Sequence, residues 1–169
     1  MIPPSPWVVR HAQSIPARGK VLDLACGSGR HARFLAGLGY PVLAVDRDAG
    51  ALAGLSAIEG ITTRQLDLEG EEWPLAGQVF DGIVVTNYLW RPRLPDVLAL
   101  LAPGGALIYE TFMVGNAAYG KPSNPDFLLQ AGELRQLAAA AGLREVEYAE
   151  GYVASPKPAM RQAICAIRD

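Results

Sequence analysis

Residues 21–30 read VLDLACGSGR, an apolar strand-like run that breaks into a glycine turn and opens a helix. No other stretch limits the fold so sharply. A strand–glycine–helix turn brings backbone N–H groups and a helix N-terminus against a ligand with little side chain in the way. It belongs at the carboxyl ends of the strands of an α/β sheet, where such sheets bind ligands. Asp23 lies four residues before Gly27. A carboxylate there repels phosphate and suits a cation.

The 169 residues suffice for one domain. A domain of that size buries about two-thirds of the surface its unfolded chain exposes, so it needs no staples. At 50% hydrophobic and 19% charged residues the chain is globular rather than disordered. A net charge of -2 provides no global basic field for nucleic acid. Cys26 and Cys165 both sit in apolar runs without metal-ligand spacing, so reduced thiols, no metal site and a cytoplasmic protein are expected. The opening MIPPSPWVVRHA has no long apolar stretch and does not read as a signal peptide. No apolar run is long enough to span a membrane.

Strand-like and helix-like runs alternate. The pattern predicts strands over 20–25, 41–45, 61–66, 79–86, 106–111, 144–148 and 163–168. Helices are predicted over 30–38, 49–59 (weakened by Gly50 and Gly54), 94–101 and 132–141, with Pro103-Gly104-Gly105 as a stop. The expectation is a single doubly wound, Rossmann-like α/β domain over 1–169, with a seven-stranded, mostly parallel sheet. No helix separates the last two strands, so the last strand is expected to run antiparallel. Residues 1–19 form an N-terminal arm. Residues 112–130 are longer than an ordinary connection and read as a substrate lid.

Two cofactors compete for the glycine loop. Residues 27–32, GSGRHA, fit G-x-G-x-x-G/A, the dinucleotide fingerprint, and Asp46 follows at the distance of a ribose-binding acid. Asp23 within strand one, Asp67 at the end of strand three, and Ala102-Pro103-Gly104-Gly105 before strand five favour another reading. With these features the chain resembles the class I S-adenosylmethionine-dependent methyltransferases, from residue 21 to residue 168. Within them it is most similar to the compact bacterial branch that includes the tellurite-resistance methyltransferase. The resemblance implies S-adenosylmethionine as cofactor and S-adenosylhomocysteine as product. It also implies an antiparallel end to the sheet.

The roles it implies fall on named positions. Asp23 serves the amino-acid end of the cofactor, directly or through water, and Arg10 pairs with its carboxylate. Ala25, Cys26, Gly27 and Gly29 form the loop. Asp46 meets the ribose, Asp67 the adenine, and Asn87 the cofactor near the methyl group, with Arg47 and Leu68 as further cofactor contacts. Plainer readings stand beside these. Asp23 can be a strand-end acid satisfied by backbone N–H groups. Asp46 can cap the following helix, although Asp48 suits that better. Asp67 can be a loop acid beside Glu69, Glu71 and Glu72.

For the acceptor, Tyr88, Arg91 and Tyr119 are the candidate contacts. Tyr88 and Trp90 can equally be packing residues, and Arg91 and Arg93 a solvated loop. The catalytic residue is left open among Tyr88, Glu110, His31 and His11. Strand four ends in Thr86-Asn87-Tyr88-Leu89, without the Asn/Asp-Pro-Pro-Tyr/Phe motif of amino methyltransferases. Methyl transfer is an in-line displacement that needs positioning and a dry pocket, with a base only if the acceptor must lose a proton.

These observations lead to a methyltransferase acting on a small molecule, with no nucleic-acid or membrane partner. Three alternatives remain open: an RNA or protein methyltransferase using Arg91, Arg93 and Lys121, a non-catalytic binder of the same fold, and a nicotinamide oxidoreductase. The last leaves Asp23 unexplained.

Overall fold

The structure is a computed structural model and describes residues 2–169. Seven strands form one sheet: β1 (Val21–Leu24), β2 (Val42–Asp46), β3 (Ile61–Gln65), β4 (Phe80–Thr86), β5 (Leu101–Phe112), β6 (Arg144–Val153) and β7 (Ala159–Ile167). Their spatial order is β3-β2-β1-β4-β5-β7-β6. Strands β1 to β5 pair in parallel, whereas β7 runs antiparallel to both β5 and β6. The doubly wound sheet with an antiparallel last strand is therefore as expected.

The order of strands reverses between β1 and β4, and this switch point is where an open α/β sheet leaves a crevice. Strand β1 lies at the centre, with all four residues buried. Its side chains alternate between two layers. Leu22 and Leu24 pack with Val45, Ile83, Leu94 and Leu134 on the face of α4 (Leu94–Leu98) and α5 (Glu133–Ala140). Val21 packs with Val8, Leu35 and Leu52 on the face of α1 (Pro6–His11), α2 (Arg30–Gly37) and α3 (Ala49–Ala53). Asp23 points to that second face, beneath the start of α2.

Several boundaries differ from the sequence reading, each for a local reason. The arm holds a helix, α1, because Ser5 caps it by accepting from Trp7 N and Pro6 takes the first position, where no donor is needed. Asp48 caps α3, accepting from Gly50 and Ala51 N, yet the helix stops at Ala53 before Gly54. Residues 66–79, between β3 and β4, hold no helix, and none is expected there. The Pro103-Gly104-Gly105 stop lies inside β5, where the register against β4 shifts between Phe80 and Gly82. Proline and glycine are tolerated at such an irregularity. Residues 151–160 lie outside the expected strands 144–148 and 163–168, yet they form the tip of the β6–β7 hairpin, down to the Val153–Ala159 pair.

Candidate active site

The glycine turn is held from two sides. Cys26 N donates to Val45 O of β2, and Gly27 N donates to Asp46 Oδ2 at 2.8 Å. Asp46 Oδ1 accepts from Asp48 N at 2.9 Å. The carboxylate at the end of β2 thus joins the turn after β1 to the start of α3. Gly29 has φ +80°, and a Cβ there would meet Leu55 Cδ1 at 2.5 Å. Only glycine permits this left-handed turn and the close approach together. Cys26 is held inward, its Sγ–H directed to Gly27 O at 3.3 Å, and burial pushes its thiol up.

Above this turn lies a cavity of about 250 Å³. It brings together Ala25, Asp46, Arg47, Asp67, Leu68 and Asn87 from the expected cofactor set, with Tyr88 from the expected substrate set. Leu66 and Glu69, neither marked as a ligand contact by any sequence motif, complete the lining. Asp67 Oδ1 accepts from Glu69 N at 2.9 Å, which turns the loop after β3 towards the cavity. Ala25 (φ 52°) and Asn87 (φ 55°) are left-handed non-glycine residues just after β1 and β4, and both face this space. Backbone strain of this kind concentrates at functional sites.

A second cavity of about 430 Å³ adjoins the first and shares Arg47, Glu69, Asn87 and Tyr88 with it. Its other walls are Leu89, Thr111, Phe112, Pro122 and Phe127. Residues 112–130 therefore cover it in part, with short 3-10 turns at Asn116–Ala118 and Pro125–Phe127. Tyr88 donates its O–H to Glu69 Oε2 at 3.0 Å, at the wall common to both cavities. Burial, then that bond, raises the Tyr88 phenol well above its usual range.

Other sequence candidates take different places. Asp23 is 1% exposed and lines neither cavity. Its Oδ2 accepts from Ala32 N at 3.0 Å, in the first turn of α2, which has no side-chain cap from Gly29. This is the plainer reading of Asp23, and burial pushes its carboxyl up to about 7. Arg10 is drawn away from the cavities to Glu147 of β6 at 3.1 Å, so it corrects the expectation of a cofactor-carboxylate partner. His11 Nε2 lies 3.1 Å from the same carboxylate, yet the approach is not that of a hydrogen bond. Its ring packs on Trp7, and burial lowers its pKa.

His31 is 2% exposed. Its Nε2 accepts from Ser5 N at 3.0 Å, and its Nδ1 lies 3.3 Å from Thr86 Oγ1. Burial lowers its pKa to about 4, so the neutral ring fixes the arm instead of acting as a base. Glu110 is engaged by the Ser5 hydroxyl and lies 3.7 Å from Arg161, which donates to Asn87 Oδ1 at 2.7 Å. Neither cavity includes Glu110, so this half-buried carboxylate is engaged within the fold rather than free as a base.

Arg91 is likewise engaged within the fold. It grips Glu133 with two bonds of 2.7 and 2.8 Å and donates to the carbonyls of Asp126 and Leu128. It clamps the lid to α5 and is not a free substrate contact. Tyr119 packs in a tilted pair with Tyr152, with centroids 5.3 Å apart, outside the cavity walls. Arg93 is held by Asp96 and by the carbonyls of Gly70 and Glu71. Among the described residues there is no group of three or more His, Cys, Asp or Glu side chains that could hold a metal ion. Among them, too, no helix is long and apolar enough to cross a membrane.

The first cavity suits an adenosyl group without phosphate. It offers Asp46 for vicinal hydroxyls, Asp67 for an amino group and Leu66 and Leu68 for a flat base. Three carboxylates against one guanidinium repel a pyrophosphate.

Comparison with known proteins agrees. A methyltransferase domain family matches residues 21–105, half of the chain. Hemagglutinin 1 of Eikenella corrodens is 32% identical over 154 residues, covering 85% of this chain and 50% of that protein. Protein-L-isoaspartate O-methyltransferase of Chlorobaculum tepidum is 39% identical over 99 residues, covering 53% of this chain and 43% of that protein. A tRNA U34 carboxymethyltransferase of Hydrogenovibrio crunogenus is 29% identical over 158 residues, covering 80% and 47%. The chain thus spans about half the length of the curated relatives it matches. In structure it is similar to TehB from Haemophilus influenzae, at a TM-score of 0.76 and 24% identity, over 96% of this chain and 61% of that one. The chain belongs to the methyltransferase-domain family, and its fold is that of the class I S-adenosylmethionine-dependent methyltransferases.

Proposed function

We propose that this chain binds S-adenosylmethionine in the first cavity and methylates a small molecule held in the second. The observation that carries the reading is that the two cavities share one wall, made by Arg47, Glu69, Asn87 and Tyr88. A methyl group crossing that wall travels a short path between neighbouring sites, as an in-line displacement requires. The bound cofactor supplies an electrophilic methyl group on a sulfonium.

The chain's own residues orient and exclude. Asp46 keeps lone pairs beyond its two backbone bonds, so it accepts from ribose hydroxyls while holding the glycine turn. Asp67 accepts from the adenine amino group, and Leu68, 7% exposed, packs on the ring. Pro122 and Phe127 of the lid limit water above the acceptor. Asp23 acts at one remove, by stabilising the first turn of α2.

A second cavity of about 430 Å³ lies within the range of small-molecule sites. The arginines that would meet a polyanion, Arg91 and Arg93, are both internally paired. Against this, relatives act on protein and on tRNA, as their names state. Incubating the protein with methyl-labelled S-adenosylmethionine and separate metabolite, RNA and protein fractions of a cell extract tests the reading. Label in the metabolite fraction supports it. Label in RNA or protein alone replaces it with the macromolecular alternative.

A further inference from the structure

The second cavity is walled by three aromatic rings. Tyr88, Phe112 and Phe127 line it, with Pro122 among them. Phe127 is 41% exposed, an apolar ring left open at the mouth of a cavity. Phe112 is fixed by Arg161, whose guanidinium lies 4.6 Å from the ring centroid. Such rings favour flat, apolar partners. Charge enters at one place, the shared wall, where Glu69 and Arg47 face both cavities.

Glu69 is also the one carboxylate common to the two cavities. Glu110, His31 and His11 are each engaged elsewhere or absent from the cavity walls. Tyr88 holds Glu69 from the end of β4. We propose that the acceptor is a small flat aromatic or heteroaromatic molecule with an acidic N–H or O–H, and that Glu69, positioned by Tyr88, takes that proton. This rests on the methyltransferase reading above.

The balance is simple. The acceptor N or O lone pair forms the bond to the methyl carbon as the methyl–sulfur bond breaks, its electron pair going to sulfur. The acceptor's proton passes to the Glu69 carboxylate and then to water, because Glu69 is exposed. Tyr88 keeps its own proton near neutral pH, since burial and the Glu69 bond both hold its phenol up. It is a positioning residue.

The test uses 7-hydroxycoumarin and benzimidazole with the full chain saturated with S-adenosylhomocysteine, beside 7-methoxycoumarin and 1-methylbenzimidazole, which lack the proton. The protonated pair should bind at least tenfold more tightly than the methylated pair. Bound 7-hydroxycoumarin should ionise at a higher pH than the free dye, because a carboxylate beside it opposes its anion. Glu69→Gln should abolish that rise, Tyr88→Phe should reduce it, and Glu69→Asp should restore part of it. Thermal unfolding confirms that each variant is folded. S-adenosylhomocysteine binding without binding of any flat probe overturns the proposal alone. Equal binding of the methylated probes, or a rise that survives Glu69→Gln, also overturns it. Failure to bind S-adenosylhomocysteine in the first place overturns the methyltransferase reading instead.

Discussion

Asp46 Oδ2 accepts from Gly27 N at 2.8 Å, so the last residue of β2 holds the glycine turn that follows β1. One carboxylate thereby shapes the turn and faces the cavity above it. Its structural and ligand-binding roles are compatible, because a carboxylate accepts about four hydrogen bonds.

Asp46→Ala removes both roles. Affinity for S-adenosylhomocysteine should fall at least tenfold, a loss of about 1.4 kcal/mol, by calorimetric titration. Asp46→Asn keeps one acceptor oxygen and should fall less. An unchanged affinity in folded Asp46→Ala would remove this residue from the site.

Gly27 and Gly29 are both left-handed, but they differ in space. A Cβ at Gly27 meets nothing within 4 Å, whereas one at Gly29 runs into Leu55. Gly27→Ala should cost about 1 kcal/mol from backbone strain alone. Gly29→Ala should cost about 2–4 kcal/mol, since overpacking adds to strain. Urea unfolding of the two variants measures the difference, and equal losses would contradict the packing at Leu55.

Asp23 and His31 set opposing pH dependences. Asp23 binds its proton more tightly in the folded state, with its carboxyl near 7 against an ordinary 3.8. Its stabilisation is complete below pH 3.8 and is lost as pH rises towards 7. His31 is near 4 when folded against an ordinary 6.5. Its stabilisation is complete above pH 6.5 and is lost as pH falls towards 4. The two partly cancel in the same window. Asp23→Asn keeps an oxygen for Ala32 N and removes one of them. The variant should gain on the wild type by up to ~3 kcal/mol as pH rises from 4 to 7. Parallel stability curves in urea titrations at several pH values would refute this.

Arg91 clamps the lid through Glu133 and two backbone carbonyls. Lysine cannot reproduce that fork. Arg91→Lys should speed hydrogen exchange in residues 125–129 by about tenfold, equivalent to ~1.4 kcal/mol of local opening, without altering S-adenosylhomocysteine affinity. Unchanged exchange would mean that other contacts hold the lid.

Much of this fold is written locally. The apolar runs of β1, β2 and β4, the glycine turn and the acids closing β2 and following β3 are each visible within a few residues. The tip of the β6–β7 hairpin is not, because pairing such as Val153 with Ala159 decides it rather than local propensity. Arg91 is misread for a similar reason: its partner Glu133 lies 42 residues away, and only the folded chain brings them together. Arg10 and Glu147 repeat the case. Glu69 hides among Glu71 and Glu72, and the Tyr88 hydroxyl singles it out only after folding.

Calorimetric titration with S-adenosylhomocysteine and NAD in parallel tests the central claim most directly. The adenosyl compound should bind at micromolar concentration and NAD not at all, since three carboxylates and one guanidinium line the cavity. Binding of NAD alone would contradict it and make this chain a dinucleotide-binding protein.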